Sequence, residues 1–520
     1  MTVKYAASWR RIAFSAGFAL SCLTIFSLAL SFLAPLEYPR TGGGAASPAV
    51  GVVASAAGTG SLGVFDVAKE NRRPGTPRDQ VPTHWSSTAA LEGFLGQNAS
   101  TPRQRTVDLY INSTLGSINV RAFRVGYYNG AGQRLVWASG PVSVRRQRSC
   151  TVQRVTRMVS CPWAMTTRLD TGNWPEGLYY LILTGAAGQA HMIPLVVESA
   201  AVKGKAVLVV NDCTMQAYNR WGGYSLYAGP GNRYRTRSYK VSFDRPYRNF
   251  TEIDRRDTPL IRAAEAIRDP RLRLAYTTEA RISGNPSLVN GAAAVIFAGH
   301  SEYWSPALRR NIETARNGGT NVVFFGANNV YWRTRLEASR TGANRVEVCY
   351  REARLDPARF SHPDAVTTQW RQGPRPDAES TLTGAVYGDL QATGTFTVTA
   401  PRFFAFTGTG AARGETYPGL VQGETDEVYP TARYPLLRYP ANLHVFAHSP
   451  ESGHHTHHGW ADSTFYTTPA GAGVLDMASM DWLLAQTEST VPARSRAFAT
   501  RVTQNIIAAA ATGPLGHRHS

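Results

Sequence analysis

Lysine is nearly absent from this 520-residue chain: only Lys4, Lys69, Lys203, Lys205 and Lys240 are lysine, and the remainder of its 55 basic residues are arginine. Acidic residues are also few, 36 in all, which leaves a net charge of +19. Such an excess suits an anionic surface nearby, either acidic lipid or an acidic partner. Nucleic acid is not the expected partner. The arginines are dispersed, with only short clusters such as Arg145, Arg146 and Arg148, and no zinc-finger, RNP-type or basic-zipper pattern occurs. Cysteine is scarce as well. The five cysteines include no CxxC pair, which argues against a thiolate zinc site. Internal repeats are missing, and a hydrophobic content of 43% with 18% charge excludes a disordered or collagen-like chain. The length exceeds one ordinary core and allows two or three domains.

The N-terminus carries the one long hydrophobic run. Ile12 to Leu36 is apolar apart from small polar residues and follows Lys4, Arg10 and Arg11. A helix of that length can cross a hydrocarbon core of roughly 30 Å, and the positive flank places the N-terminus in the cytoplasm. The expectation is a single-pass signal-anchor over 1–36 with the bulk of the chain extracytoplasmic. Cleavage near the small residues Ala54–Ala57 would instead release a secreted protein. Export makes a disulfide between Cys150 and Cys161 the expected pairing, since they flank a short hairpin-like segment.

Residues 37–80 are rich in Gly, Ala and Ser and read as a tether. From 81 to 200 period-two strands alternate with turn residues, Asn129-Gly130 among them, which predicts an immunoglobulin-like β-sandwich. From Lys203 the texture changes. Continuous apolar runs at 206–210, 292–298 and 321–325 predict strands buried on both faces, and helical stretches between them predict a parallel α/β sheet. Ser305 is placed as an N-cap, Pro306 as the first helical residue and Gly318 as the end of that helix. Beyond Arg345 short strands and dense turns are expected, Trp482 opens a C-terminal helical region, and the α/β domain ends at about 490 with a C-terminal tail over 491–520. In a doubly wound sheet, sites form beyond the C-terminal ends of the strands. Neighbouring strands would therefore bring Tyr218, His300, Glu302 and Asn328 into one crevice.

At these residues the sequence resembles the large (beta) subunit of N,N-dimethylformamidase and its C-terminal-domain relatives. The matching stretches are Tyr218-Asn219-Arg220-Trp221-Gly222-Gly223-Tyr224-Ser225-Leu226-Tyr227, Phe243-Asp244-Arg245-Pro246-Tyr247, Gly299-His300-Ser301-Glu302-Tyr303-Trp304-Ser305, and Phe324-Phe325-Gly326-Ala327-Asn328 with Tyr331-Trp332-Arg333. Upstream, Arg124-Val125-Gly126-Tyr127-Tyr128 and Trp174-Pro175-Glu176-Gly177-Leu178-Tyr179 resemble the family's immunoglobulin-like domain. The resemblance implies a class I glutamine amidotransferase-like α/β domain with a β-rich C-terminal extension. It also implies a mononuclear ferric iron held by two tyrosinates and a glutamate, which map onto Tyr218, Tyr179 (with Tyr180 as fallback) and Glu302. Tyr179 would come from the sandwich, so the ion would pin the two domains together. His300, Asn328 and Glu424 are the implied catalytic residues, moving protons, orienting the substrate carbonyl and acting as general base. Ser301 stands where the family commonly has Asp. The family's lectin-like domain is replaced here by the apolar run, and a small subunit or a second copy is the implied protein partner.

Each residue also has a plainer reading. Tyr179 alone reads as a core strand tyrosine, Glu302 as a helix cap, His300 as a structural histidine and Asn328 as a turn former. Gly299-His300-Ser301 begins like a serine-hydrolase elbow but has Tyr303 where the strained turn needs Gly. His454-His455-Thr456-His457-His458 has metal-binding residue types on an expected exposed loop, and no base is placed beside Cys213. Three functions follow: an iron-dependent amide C–N hydrolase acting on a small-molecule amide, a non-catalytic membrane-tethered binding protein of the same fold, and a serine esterase using Ser301.

Overall fold

The computed structural model describes residues 65–78, 90–248, 252–432, 434–455 and 458–517. The apolar run at 12–36 and most of the tether lie outside them. Among the described residues no helix is long and apolar enough to cross a membrane. The chain folds as a mixed, strand-rich α/β protein.

Alternating apolar residues build the first part as two antiparallel sheets. One has the order β1 (Leu91–Leu95), β2 (Thr106–Ser113), β5 (Thr167–Asp170). The other is ordered β7 (Ala190–Val197), β6 (Gly177–Thr184), β3 (Ser117–Val125), β4 (Gln133–Ala138). Leu91, Val107, Leu109 and Ile111 of the first sheet meet Val120, Leu181, Leu183 and Ile193 of the second in one dry core. The expected turn between β3 and β4 is present, with Asn129 at φ 53 and Gly130 at φ 95. Cys150 and Cys161 are disulfide-bonded. Their bridge closes a two-stranded hairpin of Thr151–Val152 and Val159–Ser160.

The second part is a nine-stranded sheet. Its parallel half is β9 (Leu274–Thr278), β8 (Ala206–Val210), β10 (Ala294–Gly299), β11 (Asn321–Gly326) and β16 (Gly473–Asp476). Its antiparallel half continues through β15 (Gly459–Thr467), β14 (His444–Ser452), β12 (Val386–Thr397) and β13 (Thr416–Glu427). The continuous apolar runs have the predicted cause. Leu208, Ile296 and Val323 face one core while Val207, Val295 and Val322 face the other. Helix α4 (Pro306–Asn317) is capped by Ser305, whose hydroxyl accepts from Leu308 N, and ends at Gly318.

One expectation differs from the outcome. The region beyond Arg345 holds the longest strands, 12 residues each in β12 and β13, whose irregular register conceals them from a period-two reading. The helical region expected from Trp482 is present: Trp482–Ala485 is helical, and the stretch assigned to the tail carries an 18-residue helix, α5 (Ala493–Ala510), whose Phe498, Val502 and Ile506 complete one core. The two parts of the chain are joined by a fully buried ion pair of Arg124 with Glu265, the last residue of α2 (Thr258–Glu265), 2.7 Å apart.

Candidate active site

The site forms where β8, β10 and β11 end. After β8 the chain enters α1 (Asp212–Tyr218), and after β9 it enters α3 (Glu279–Gly284). These two helices start head to head and cap each other. Glu279 accepts from Cys213 N and Thr214 N, and Asp212 accepts from Ala280 N. Tyr218 stands at the end of α1, and the loop after it returns Tyr227 to the same place. Arg245, fully buried, sets that loop by donating to the carbonyls of Asn219, Trp221 and Tyr224. Gly222 (φ 75) abuts Val159 of the disulfide hairpin so closely that a Cβ would lie 2.8 Å from its Cγ1. Where β10 and β11 separate, a Cβ on Gly326 would lie 1.7 Å from the Gly299 carbonyl oxygen, so glycine is required.

Glu302 is the centre of the site. Its Oε2 accepts from the Tyr218 hydroxyl at 2.9 Å, and the Tyr227 hydroxyl lies 2.7 Å from both oxygens. Trp332 Nε1 donates to Oε1 at 2.8 Å, and the Glu302 backbone N donates to Thr214 Oγ1. The two tyrosine rings stack with centroids 4.2 Å apart. Burial, with the Glu302 charge next, pushes both phenols well above their ordinary range. The Arg351 guanidinium covers the Tyr227 ring, 3.6 Å from its centroid.

The remaining expected residues lie around the same cavity of about 290 Å³. His300 Nε2 is 3.7 Å from Glu252 and 4.0 Å from Glu302, its Nδ1 is buried without a partner, and burial lowers its pKa. Asn328 (φ 54) is held twice: its backbone N donates to Asp426 and its Nδ2 to Glu424, leaving its buried Oδ1 free of partners. Glu424 is pushed up to about 8 by burial and the neighbouring Glu302 charge. Thus Tyr218, Glu302, His300, Asn328 and Glu424 share one crevice.

Tyr179 does not join them. Its hydroxyl donates to the Pro175 carbonyl at 2.6 Å, and its ring packs on Trp174 inside the sandwich core. Tyr180 faces the opposite side of β6, where its hydroxyl meets Thr258 and Asp254. The second phenol beside Glu302 is Tyr227, so both phenols come from the α/β part. The only signal for Tyr227 was its position at the end of the same glycine-rich string as Tyr218.

Ser301 is fully buried, donates to Glu279 and accepts from Trp304 Nε1, which leaves no histidine beside its hydroxyl. Cys213 is buried, and burial together with Asp212, Glu347 and Glu279 holds its thiol protonated. From the histidine cluster, His455 reaches the cavity wall; 456 and 457 lie outside the described residues.

Fold and site together define a mixed α/β protein with a buried phenol–carboxylate centre at the edge of a parallel sheet. The family model described as N,N-dimethylformamidase beta subunit-like, C-terminal, matches residues 119–490, and the chain belongs to this family. That membership suggests a dimethylformamidase-like hydrolase. No curated protein matches the chain.

Proposed function

We propose that this protein is an iron-dependent hydrolase of linear amide C–N bonds, anchored by its N-terminal apolar segment with its body outside the cytoplasm. The observation that carries the reading is the convergence of Tyr218, Tyr227 and Glu302 in one buried cavity. Three oxygen donors of this kind fit ferric iron, and a cation is what would make two buried phenolates favourable beside a carboxylate. Bound there, iron would supply a Lewis acid for an amide carbonyl and lower the pKa of a water.

The chain's own groups do the rest. Trp332 and Thr214 fix the Glu302 carboxylate and its backbone. Asn328, locked by Asp426 and Glu424, presents its amide to the substrate's amide group. Glu424, hydrogen-bonded to Asn328 Nδ2 beside Glu302, accepts a proton and returns it to the departing amine. His300, 3.7 Å from Glu252 and 4.0 Å from Glu302, hands protons between Glu252 and the cavity. In this reading the sandwich over 81–200 is immunoglobulin-like and the sheet domain over 201–490 is amidotransferase-like. Elemental analysis of the purified full-length protein, with a screen of linear amides, tests it. Stoichiometric iron with amide cleavage is expected; cleavage by iron-free protein would overturn the iron reading.

A further inference from the structure

The disulfide hairpin exposes apolar side chains and arginines side by side. Its strands bury Val159 against Gly222 on the inner side, while Val152 and Val155 stand 49% and 76% exposed on the outer side. Arg145, Arg146, Arg148 and Arg154 are exposed around them. Gln147 bonds to the Ala164 carbonyl and Trp163 Nε1 to that of Arg148, which brings Met165, 44% exposed, to the same edge. Arg157, half-buried, donates to the Arg235 carbonyl, which brings the exposed Arg235 beside the hairpin. From 109 to 169 the sequence contains no Asp or Glu. The acidic residues bordering that stretch include Asp108, which is paired with Arg168.

We infer that this hairpin face docks on an anionic lipid bilayer. A hairpin with exposed apolar side chains among exposed arginines matches the boundary between acyl chains and acidic headgroups, where the apolar groups are buried and each cation is attracted. The apolar run at Ile12–Leu36 in the same chain would hold the body at such a surface, so the inference rests in part on the anchoring proposed above. The disulfide keeps the short hairpin formed where it meets the bilayer.

The test uses the full-length chain with Cys22→Ser and Val155→Cys, labelled at position 155 with an environment-sensitive fluorophore and reconstituted into vesicles. Resistance of the protein to alkaline extraction reports the anchor separately from the hairpin. Quenching of the label by neutral acrylamide should fall about threefold in phosphatidylglycerol vesicles relative to phosphatidylcholine vesicles, and Arg148→Glu with Arg154→Glu should restore it. Both arginines are exposed, so thermal melting of the reversed protein should match the parent. Equal quenching in the two lipids, or shielding that survives charge reversal, would overturn the proposal. Shielding by soluble polyglutamate but by neither vesicle would assign the face to an acidic protein instead and would also overturn it.

Discussion

Arg124 and Glu265 form an ion pair with neither side chain exposed, and it bridges the sandwich and the parallel-sheet part. Arg124 also donates to the Glu176 carbonyl, and Tyr276 donates to Glu265, so both ends are held by further bonds. Removing one partner leaves a buried charge uncompensated. Glu265→Gln or Arg124→Met should each cost about 3–5 kcal/mol of stability, and the double variant should lose less than the sum. Denaturant unfolding of the four proteins checks this; additive losses would show that the pair is not coupled.

The hairpin closed by Cys150 and Cys161 packs on the loop that carries Tyr218 and Tyr227. Its carbonyls at Thr156 and Arg157 also accept from Ser238. Cys150→Ala with Cys161→Ala should lower stability by about 2–3 kcal/mol. Hydrogen exchange should speed up over 219–240 well before it does in the parallel sheet. Unchanged exchange in that loop would mean the hairpin does not brace it.

His191 lies in the sandwich with its ring Nε2 on the Gly93 carbonyl, and burial lowers its pKa from 6.5 to about 4. Above pH 6.5 it is neutral in both the folded and unfolded chain and contributes no pH dependence. Between those values the unfolded chain takes up a proton that the folded one refuses, so stability falls as pH drops. The loss attributable to this group approaches about 3 kcal/mol by pH 4. The difference in stability between the parent and His191→Gln should shift by that amount from pH 7 to pH 4. Parallel pH profiles would place the titration elsewhere, because the buried Asp212 and Asp426, with raised pKa values, act in the opposite sense in both proteins.

Much of this fold was legible because burial on two faces leaves a continuous apolar run, as at 206–210, and because Ser305, Pro306 and Gly318 punctuate a helix chemically. Strands β12 and β13 were not, since their register shifts break the period-two pattern. At the site, Tyr218, His300, Glu302 and Asn328 follow from strand ends, which topology brings together. Tyr227 does not. Its position depends on how the Arg245-bound loop folds back, a non-local event with no periodic trace, whereas Tyr179 sits in a strand whose alternation turns it into the sandwich core.

Iron occupancy in paired tyrosine variants tests the central claim most directly. Tyr227→Phe and Tyr179→Phe each remove one hydroxyl with little change in shape. If Tyr218, Tyr227 and Glu302 hold the metal, Tyr227→Phe should lose most of its iron and the visible charge-transfer band, while Tyr179→Phe should keep both and lose only about 1 kcal/mol of stability from its bond to Pro175. Full iron and an unchanged band in Tyr227→Phe, or loss of both in Tyr179→Phe, would contradict the account.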